Sequence, residues 1–129
     1  MNIKPVNPWT WQDAFGFSQA FDVSGAGRVL FCSGQASVDA NGGPLHAGDM
    51  PKQLSQAFDN LEVVLAQAGM TLTNVVRLNF YTTDMAAFFK ATPQVLERVG
   101  GTKPPGTLLG VASLFHPDVM IEIEATAVA

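Results

Sequence analysis

Between Val119 and Val128 the residue types alternate, with Val119, Ile121, Ile123 and Ala125 on one side and Met120, Glu122, Glu124 and Thr126 on the other. A period of two marks a β-strand, whose successive side chains point to opposite faces of a sheet. Val75–Tyr81 repeats the pattern, setting Val76, Leu78 and Phe80 against Arg77, Asn79 and Tyr81. Strands of this kind build a sheet with one dry face and one mixed face. The dry face has to be covered for the chain to fold.

Cover for the dry face is readable between and after these strands. Asp49 is a good helix N-cap, and Pro51 falls in the first turn, where its missing N–H is harmless. Leu54, Phe58, Leu61, Leu65 and Ala68 follow at spacings of three and four, and Gly69 takes the C′ position. A second helix starts after Asp84, with Phe88, Phe89, Val95, Leu96 and Val99 as its apolar positions. Pro93 lies inside it and is expected to kink or split it. Arg28–Gly34 reads as a buried strand, preceded by a strand over Phe17–Val23. Ser24-Gly25-Ala26-Gly27 would join these two as a hairpin. A short strand is expected near Thr107–Ala112. The order is β-β-α-β-α-β-β, an α/β fold in a single domain over residues 1–129. Two helices cannot cover both faces of such a sheet, so both are expected on one face.

Composition suggests what covers the other face. Charged residues make up 14% of the chain and hydrophobic ones 47%, against about 25% charged in average soluble domains. A surface so poor in charge points to association with other subunits. The net charge is −4, and the seven basic residues (Lys4, Arg28, Lys52, Arg77, Lys90, Arg98 and Lys103) form no run. Nucleic-acid binding, which needs a basic footprint, is not expected. Nor is a membrane role, because no apolar run approaches the roughly 18–20 residues of a spanning helix. The N-terminus lacks a signal peptide's regions, and the lone Cys32 allows no internal disulfide, so a cytoplasmic location is expected.

Metal and nucleotide chemistry find no foothold. His46, His116 and Cys32 stand apart, with no pair at ligand spacing. His116 reads as a solvated turn residue and Cys32 as a small buried hydrophobe. Gly25-Ala26-Gly27 is too short for a dinucleotide fingerprint, and no Gly-Lys-Ser/Thr occurs. No cofactor and no metal are expected. The carboxylates say more. Of the four glutamates, Glu122 and Glu124 share one strand face, where like charges repel unless partnered or solvated. One reading is a solvated or ion-paired edge, with Arg77 as a candidate partner. The other is a glutamate held in a cleft to orient water or move a proton. The residues alone leave both open.

Five blocks, in order and over nearly the whole chain, resemble the Rid/YjgF family of reactive-intermediate deaminases. Phe17-Ser18-Gln19-Ala20 is similar to that family's Tyr-Ser-Gln-Ala block, and Cys32-Ser33-Gly34-Gln35 to its Ser-Gly-Gln block. Gln53–Gly69 resembles its first helix and Val75–Asp84 its third strand. Pro104–Leu114 with Ile121-Glu122-Ile123-Glu124-Ala125 resembles its C-terminal signature. The resemblance implies a chorismate-mutase-like fold, a homotrimer and small-molecule clefts between neighbouring subunits. It also implies roles: Glu122 as the catalytic, water-orienting glutamate, and Gly34 and Leu108 as backbone donors. Phe17, Ser33, Thr92, Gly106 and Thr107 would be further substrate-binding positions.

The departures are as informative. In Pro104-Pro105-Gly106-Thr107 a glycine stands where deaminating members carry an Arg that anchors the substrate carboxylate. Phe17 replaces a Tyr, and Thr92 an Asn. The implied activity is therefore hydrolysis or tautomerisation of an imine or enamine other than the usual 2-imino acids. The alternative is a non-catalytic trimeric binder of small ligands. On this reading Gly106→Arg should restore the anchor and raise activity on 2-imino acids.

Overall fold

In the computed structural model of residues 1–129, two aspartates open the two long helices. Asp49 Oδ1 accepts the Lys52 N–H at 3.0 Å and starts α1 (Met50–Gln67). Asp84 Oδ1 accepts the Ala87 N–H at 3.0 Å and starts α2 (Met85–Val99). Each side chain satisfies an amide that has no partner within the helix. Beyond α1, Gly69 adopts φ +72°, a left-handed conformation that glycine enters without steric cost. Pro93 does not split α2. It cannot donate to the Phe89 carbonyl one turn back, but Thr92 Oγ1 donates to that carbonyl at 2.8 Å and satisfies it instead.

The main sheet is mixed. Its order is β3 (Val29–Phe31), β7 (Ile121–Val128), β5 (Val75–Thr82), β6 (Leu108–Gly110), and the short β4 (Gln35–Ala36) also pairs with β7. β7 runs antiparallel to each of its partners, and β5 runs parallel to β6. Phe58 of α1 and Phe88 of α2 both lie against Phe80, with ring centroids 6.5 and 5.4 Å from it. Both helices therefore occupy one face, as expected. Below them Leu78, Ile121, Ile123, Ala125 and Ala127 are almost wholly buried. Polar side chains fasten this layer. Gln53 donates to the His46 and Asp118 carbonyls and accepts from the Met120 N–H, and Asn60 donates to the Ala36 and Val38 carbonyls.

Three further details differ from the sequence reading. A bulge in β5 pairs Val75 with Ala127 and then Arg77 with Thr126, so Val75 rather than Val76 enters the core. The expected hairpin between the first two strands is absent. The strand there is β2 (Ala20–Ser24), and it pairs with an N-terminal strand, β1 (Asn2–Val6), in a separate two-stranded sheet. The amides of Gly27 and Arg28, beyond the turn, instead donate to the Ala129 carbonyl at 2.9 Å, which draws β3 onto the chain's end. β1 carries Lys4 and Pro5 and lacks the pattern of a half-buried strand, as befits an edge ribbon. Finally, Phe31 pairs with Thr126 but Gln35 with Ile123, so the Cys32–Gly34 stretch holds one residue more than β7 opposite it.

Candidate functional site

The alternation of β7 places Glu122 and Glu124 on the face away from the helices. Glu124 pairs across the sheet with Asn79, and Glu122 pairs with Tyr81 on β5 and with Ala36 on β4. The Tyr81 hydroxyl donates to Glu124 Oε1 at 2.9 Å and Asn79 Nδ2 donates to the same oxygen at 3.1 Å. These bonds, that from Asn79 first, hold the Glu124 carboxyl below its ordinary pKa. The bond from Tyr81 to Glu124 is the main cause raising the Tyr81 pKa, so the hydroxyl stays a protonated donor. Asn79 also reaches the edge of the sheet, its Oδ1 accepting the Thr107 N–H at 3.0 Å.

Glu122 has the opposite surroundings. It receives no hydrogen bond within the chain, and Gly34, in the bulged stretch before β4, packs directly on its carboxylate. A Cβ on Gly34 would overlap Glu122 Oε1, so a side chain there would force the carboxylate to shift. Burial first, and the charge of Glu124 second, push the Glu122 pKa up. Neither glutamate is ion-paired, and Arg77 is exposed with no salt bridge. The Arg98 pairs with Asp59 and Glu62 tie the two helices together instead. Ser33 is exposed, and its carbonyl accepts from Gln35 Nε2 at 3.2 Å.

The other expected positions gather elsewhere. Phe17, Thr92, Gly106, Thr107 and Leu108 line a cavity of about 400 Å³ on the helix side of the β5–β6 edge. Glu122, Gly34 and Ser33 do not line it. The expected positions thus fall into two groups, one around a carboxylate on the open face and one around an apolar cavity on the covered face. The link between them is the Thr107–Asn79–Glu124 chain of hydrogen bonds. At the edge, Phe80 N–H donates to the Thr107 carbonyl and Val111 N–H to the Thr82 carbonyl. In a parallel ladder this phase turns the intervening Leu108 N–H outward, away from β5.

Gly106 corrects one expectation. Leu78 N–H donates to the Pro105 carbonyl at 2.9 Å and Phe80 N–H to the Thr107 carbonyl at 2.8 Å, which seats the intervening Gly106 on β5. A Cβ there would overlap the Leu78 carbonyl oxygen, so the loop as folded has no room for an arginine.

Sequence reasoning placed Asn79 and Tyr81 on the mixed face, as surface for association, but gave them no part in a site. The usable signal was the antiparallel register of two alternating strands, which sets them beside the glutamates. The cavity's aromatic residues Trp11, Phe15, Phe88 and Phe89 were also missed, because three separate elements contribute its rings. Cys32 is buried, and burial pushes its thiol pKa up. His116 Nδ1 accepts the Asp118 N–H at 3.0 Å, and His46 is exposed.

The family model described as Endoribonuclease L-PSP matches residues 12–129. A RutC family protein of Pyrococcus horikoshii is 35% identical over 124 residues, covering 96% of this chain and 89% of that protein. Mouse 2-iminobutanoate/2-iminopropanoate deaminase is 32% identical over 112 residues, covering 87% and 80%. Among solved structures, the Rid-family protein YyfB of Yersinia pestis, of unknown function, matches at TM-score 0.88 and 36% identity over 100% of both chains. RidA of the Antarctic bacterium Psychrobacter matches at TM-score 0.72 and 26% identity, covering 97% of this chain and 93% of that one. The chain belongs to the endoribonuclease L-PSP family, that of the Rid/YjgF proteins.

Proposed function

We propose that the protein hydrolyses or tautomerises a small imine or enamine in a cleft completed by a neighbouring copy within a homotrimer. The observation that carries this reading is the unequal pair on β7. Glu124 is held ionised by two donors, while Glu122, a strand step away, has none and a raised pKa. Two carboxyls pushed apart in this way suit different tasks, the fixed one as an anchor and the free one as a proton acceptor near neutral pH.

In hydrolysis, Glu122 takes a proton from water as the oxygen adds to the imine carbon. The Gly34 and Leu108 N–H groups polarise the substrate. That proton passes to nitrogen to give a carbinolamine; Glu122 then takes the hydroxyl's proton and returns it to the nitrogen as the C–N bond breaks, so that ammonia or an amine leaves a carbonyl behind. Glu122 and the cavity lie on opposite faces of one sheet, so a cleft using both calls for two copies. Val29 and Phe31, 52% and 80% exposed, give the sheet's β3 side apolar surface for such a contact. Light scattering should return three times the chain mass, and a monomer would remove the cleft.

The mouse relative's name states a 2-imino acid substrate. Gly106 argues for a different one here, because a bidentate guanidinium is the usual partner of such a carboxylate. Ribonuclease activity, named in the family description, draws no support from seven scattered basic residues. Glu122→Gln should lower turnover across a panel of imines by about 10²–10⁴-fold while leaving fold and assembly intact. Wild-type activity in that variant would overturn the assignment. A second reading, a binder without chemistry, is favoured by the apolar cavity. It predicts ligand binding with no turnover anywhere on the panel.

A further inference from the structure

Six aromatic side chains, half of those in the sequence, line the cavity at the β5–β6 edge: Trp11, Phe15, Phe17, Phe80, Phe88 and Phe89. Its floor reaches the core, at Leu78, Phe88 and Val99, which are 2%, 4% and 3% exposed. Its rim is open, with Trp11, Phe15 and Phe89 each more than half exposed. About 400 Å³ falls within the range of small-molecule sites, roughly 300–1,000 Å³. A pit this deep suits an inserted group better than the flat surface of another chain.

The chemistry of the lining is one-sided. No Lys, Arg, His, Asp or Glu borders the cavity. Two of its polar groups are engaged already. Thr92 Oγ1 donates to the Phe89 carbonyl at 2.8 Å, and the Thr107 N–H donates to Asn79 at 3.0 Å. A carboxylate entering here would shed its water and find no cation, a heavy cost in an apolar site. The rings also offer edges: Trp11 and Phe17 meet at 72° with centroids 5.6 Å apart, and Phe80 and Phe88 at 53° and 5.4 Å. Tilted rings of this kind match the packing that a further aromatic ring prefers.

We infer that this cavity takes an uncharged aromatic group, and that the imine or enamine carries such a substituent with no carboxylate beside it. The inference rests on the proposed function only for the reacting C–N bond, so its test uses probes that undergo no turnover. Calorimetric titration of the wild-type protein with indole should give a Kd of roughly 10 µM to 1 mM for a probe of this size. Indole-3-carboxylate should bind at least tenfold more weakly. Ala14→Trp, on the exposed wall, should fill the cavity and abolish indole binding. Should that variant fail to fold, Phe89→Ala at the rim should weaken indole three- to tenfold.

Equal binding of the two probes, or no indole binding up to several millimolar, overturns the inference. So does indole binding that neither variant changes, or an Ala14→Trp protein that keeps its ligand but changes its copy number. In each case the Glu122→Gln assay still stands as a separate test. Conversely, an active Glu122→Gln enzyme would remove the proposed chemistry and leave the cavity's preference intact.

Discussion

The two faces of β7 are written by neighbouring residues and behave as different materials. Toward the helices, Ile121, Ile123, Ala125 and Ala127 are at most 1% exposed in a core that also holds Phe58, Leu61 and Leu65. Toward the open side, Glu122, Glu124 and Thr126 are half-buried and meet Asn79, Tyr81 and Gly34. The covered side is specified by volume, where a missing methylene leaves a void. The open side is specified by hydrogen-bond direction and charge, where a change of one atom alters a proton affinity while the fold persists. If the proposed role of Glu122 holds, stability and chemistry should be separable by substitution, one residue apart on a single strand.

The largest effect should come where the two faces meet, at the loop over the β5 edge. Gly106→Arg has to push the loop off the Leu78 carbonyl, and the bonds from Leu78 N and Phe80 N to the loop go with it. We expect a loss of about 3 kcal/mol or more, seen as a fall of roughly 10 °C or more in melting temperature. No gain of activity on 2-imino acids should accompany it. A folded variant with wild-type melting and a new 2-imino acid activity would show that the loop can retreat.

Next in size is a paired test on adjacent residues. Ile123→Ala empties a fully buried position and should cost about 2–5 kcal/mol in urea unfolding. Glu122→Gln should cost nothing at neutral pH. The raised pKa means that ionised Glu122 is less at home in the fold than in the unfolded chain, so its contribution is favourable in acid and is lost as pH rises through the folded value. Removing the charge therefore leaves stability equal or slightly higher at pH 7. A destabilisation by Glu122→Gln as large as that of Ile123→Ala would make Glu122 a structural residue and erase the contrast between the faces.

How much of this was legible differs by region for physical reasons. Helix α1 declared both its ends and α2 its start through Asp49, Gly69 and Asp84, since caps act within one turn and need no distant partner. The alternation of β7 located both glutamates correctly. Val76 was misplaced because a bulge adds a residue without changing the composition around it. The β2–β3 hairpin failed because the Ala129 carbonyl, a hundred residues away, competes for the amides after the turn. Pro93 was read without Thr92, whose hydroxyl repairs the carbonyl that proline leaves bare. The cavity was least legible: a 3₁₀ turn at Trp11–Phe15, α2 and the β5–β6 edge each bring part of it, and spacing in one segment cannot show that.

The smallest effect is the most specific to the open face. If Glu122 is the base, kcat/KM must rise as it ionises. Its acid limb should therefore lie above the ordinary glutamate range of about 4.3. Burial is the larger cause of that displacement and the charge of Glu124 the smaller, so the two can be dissected. Glu124→Gln keeps an amide oxygen to accept from the Tyr81 hydroxyl and from Asn79, but removes the charge. The acid limb should then move toward lower pH without reaching the ordinary value, with the plateau rate little changed. The same substitution removes stability that ionised Glu124 contributes above the ordinary range and that is lost on acidification, so the two pH profiles should move independently. A limb that stays put, or moves upward, would mean that Glu122 does not feel Glu124 and that the pair does not work as a unit.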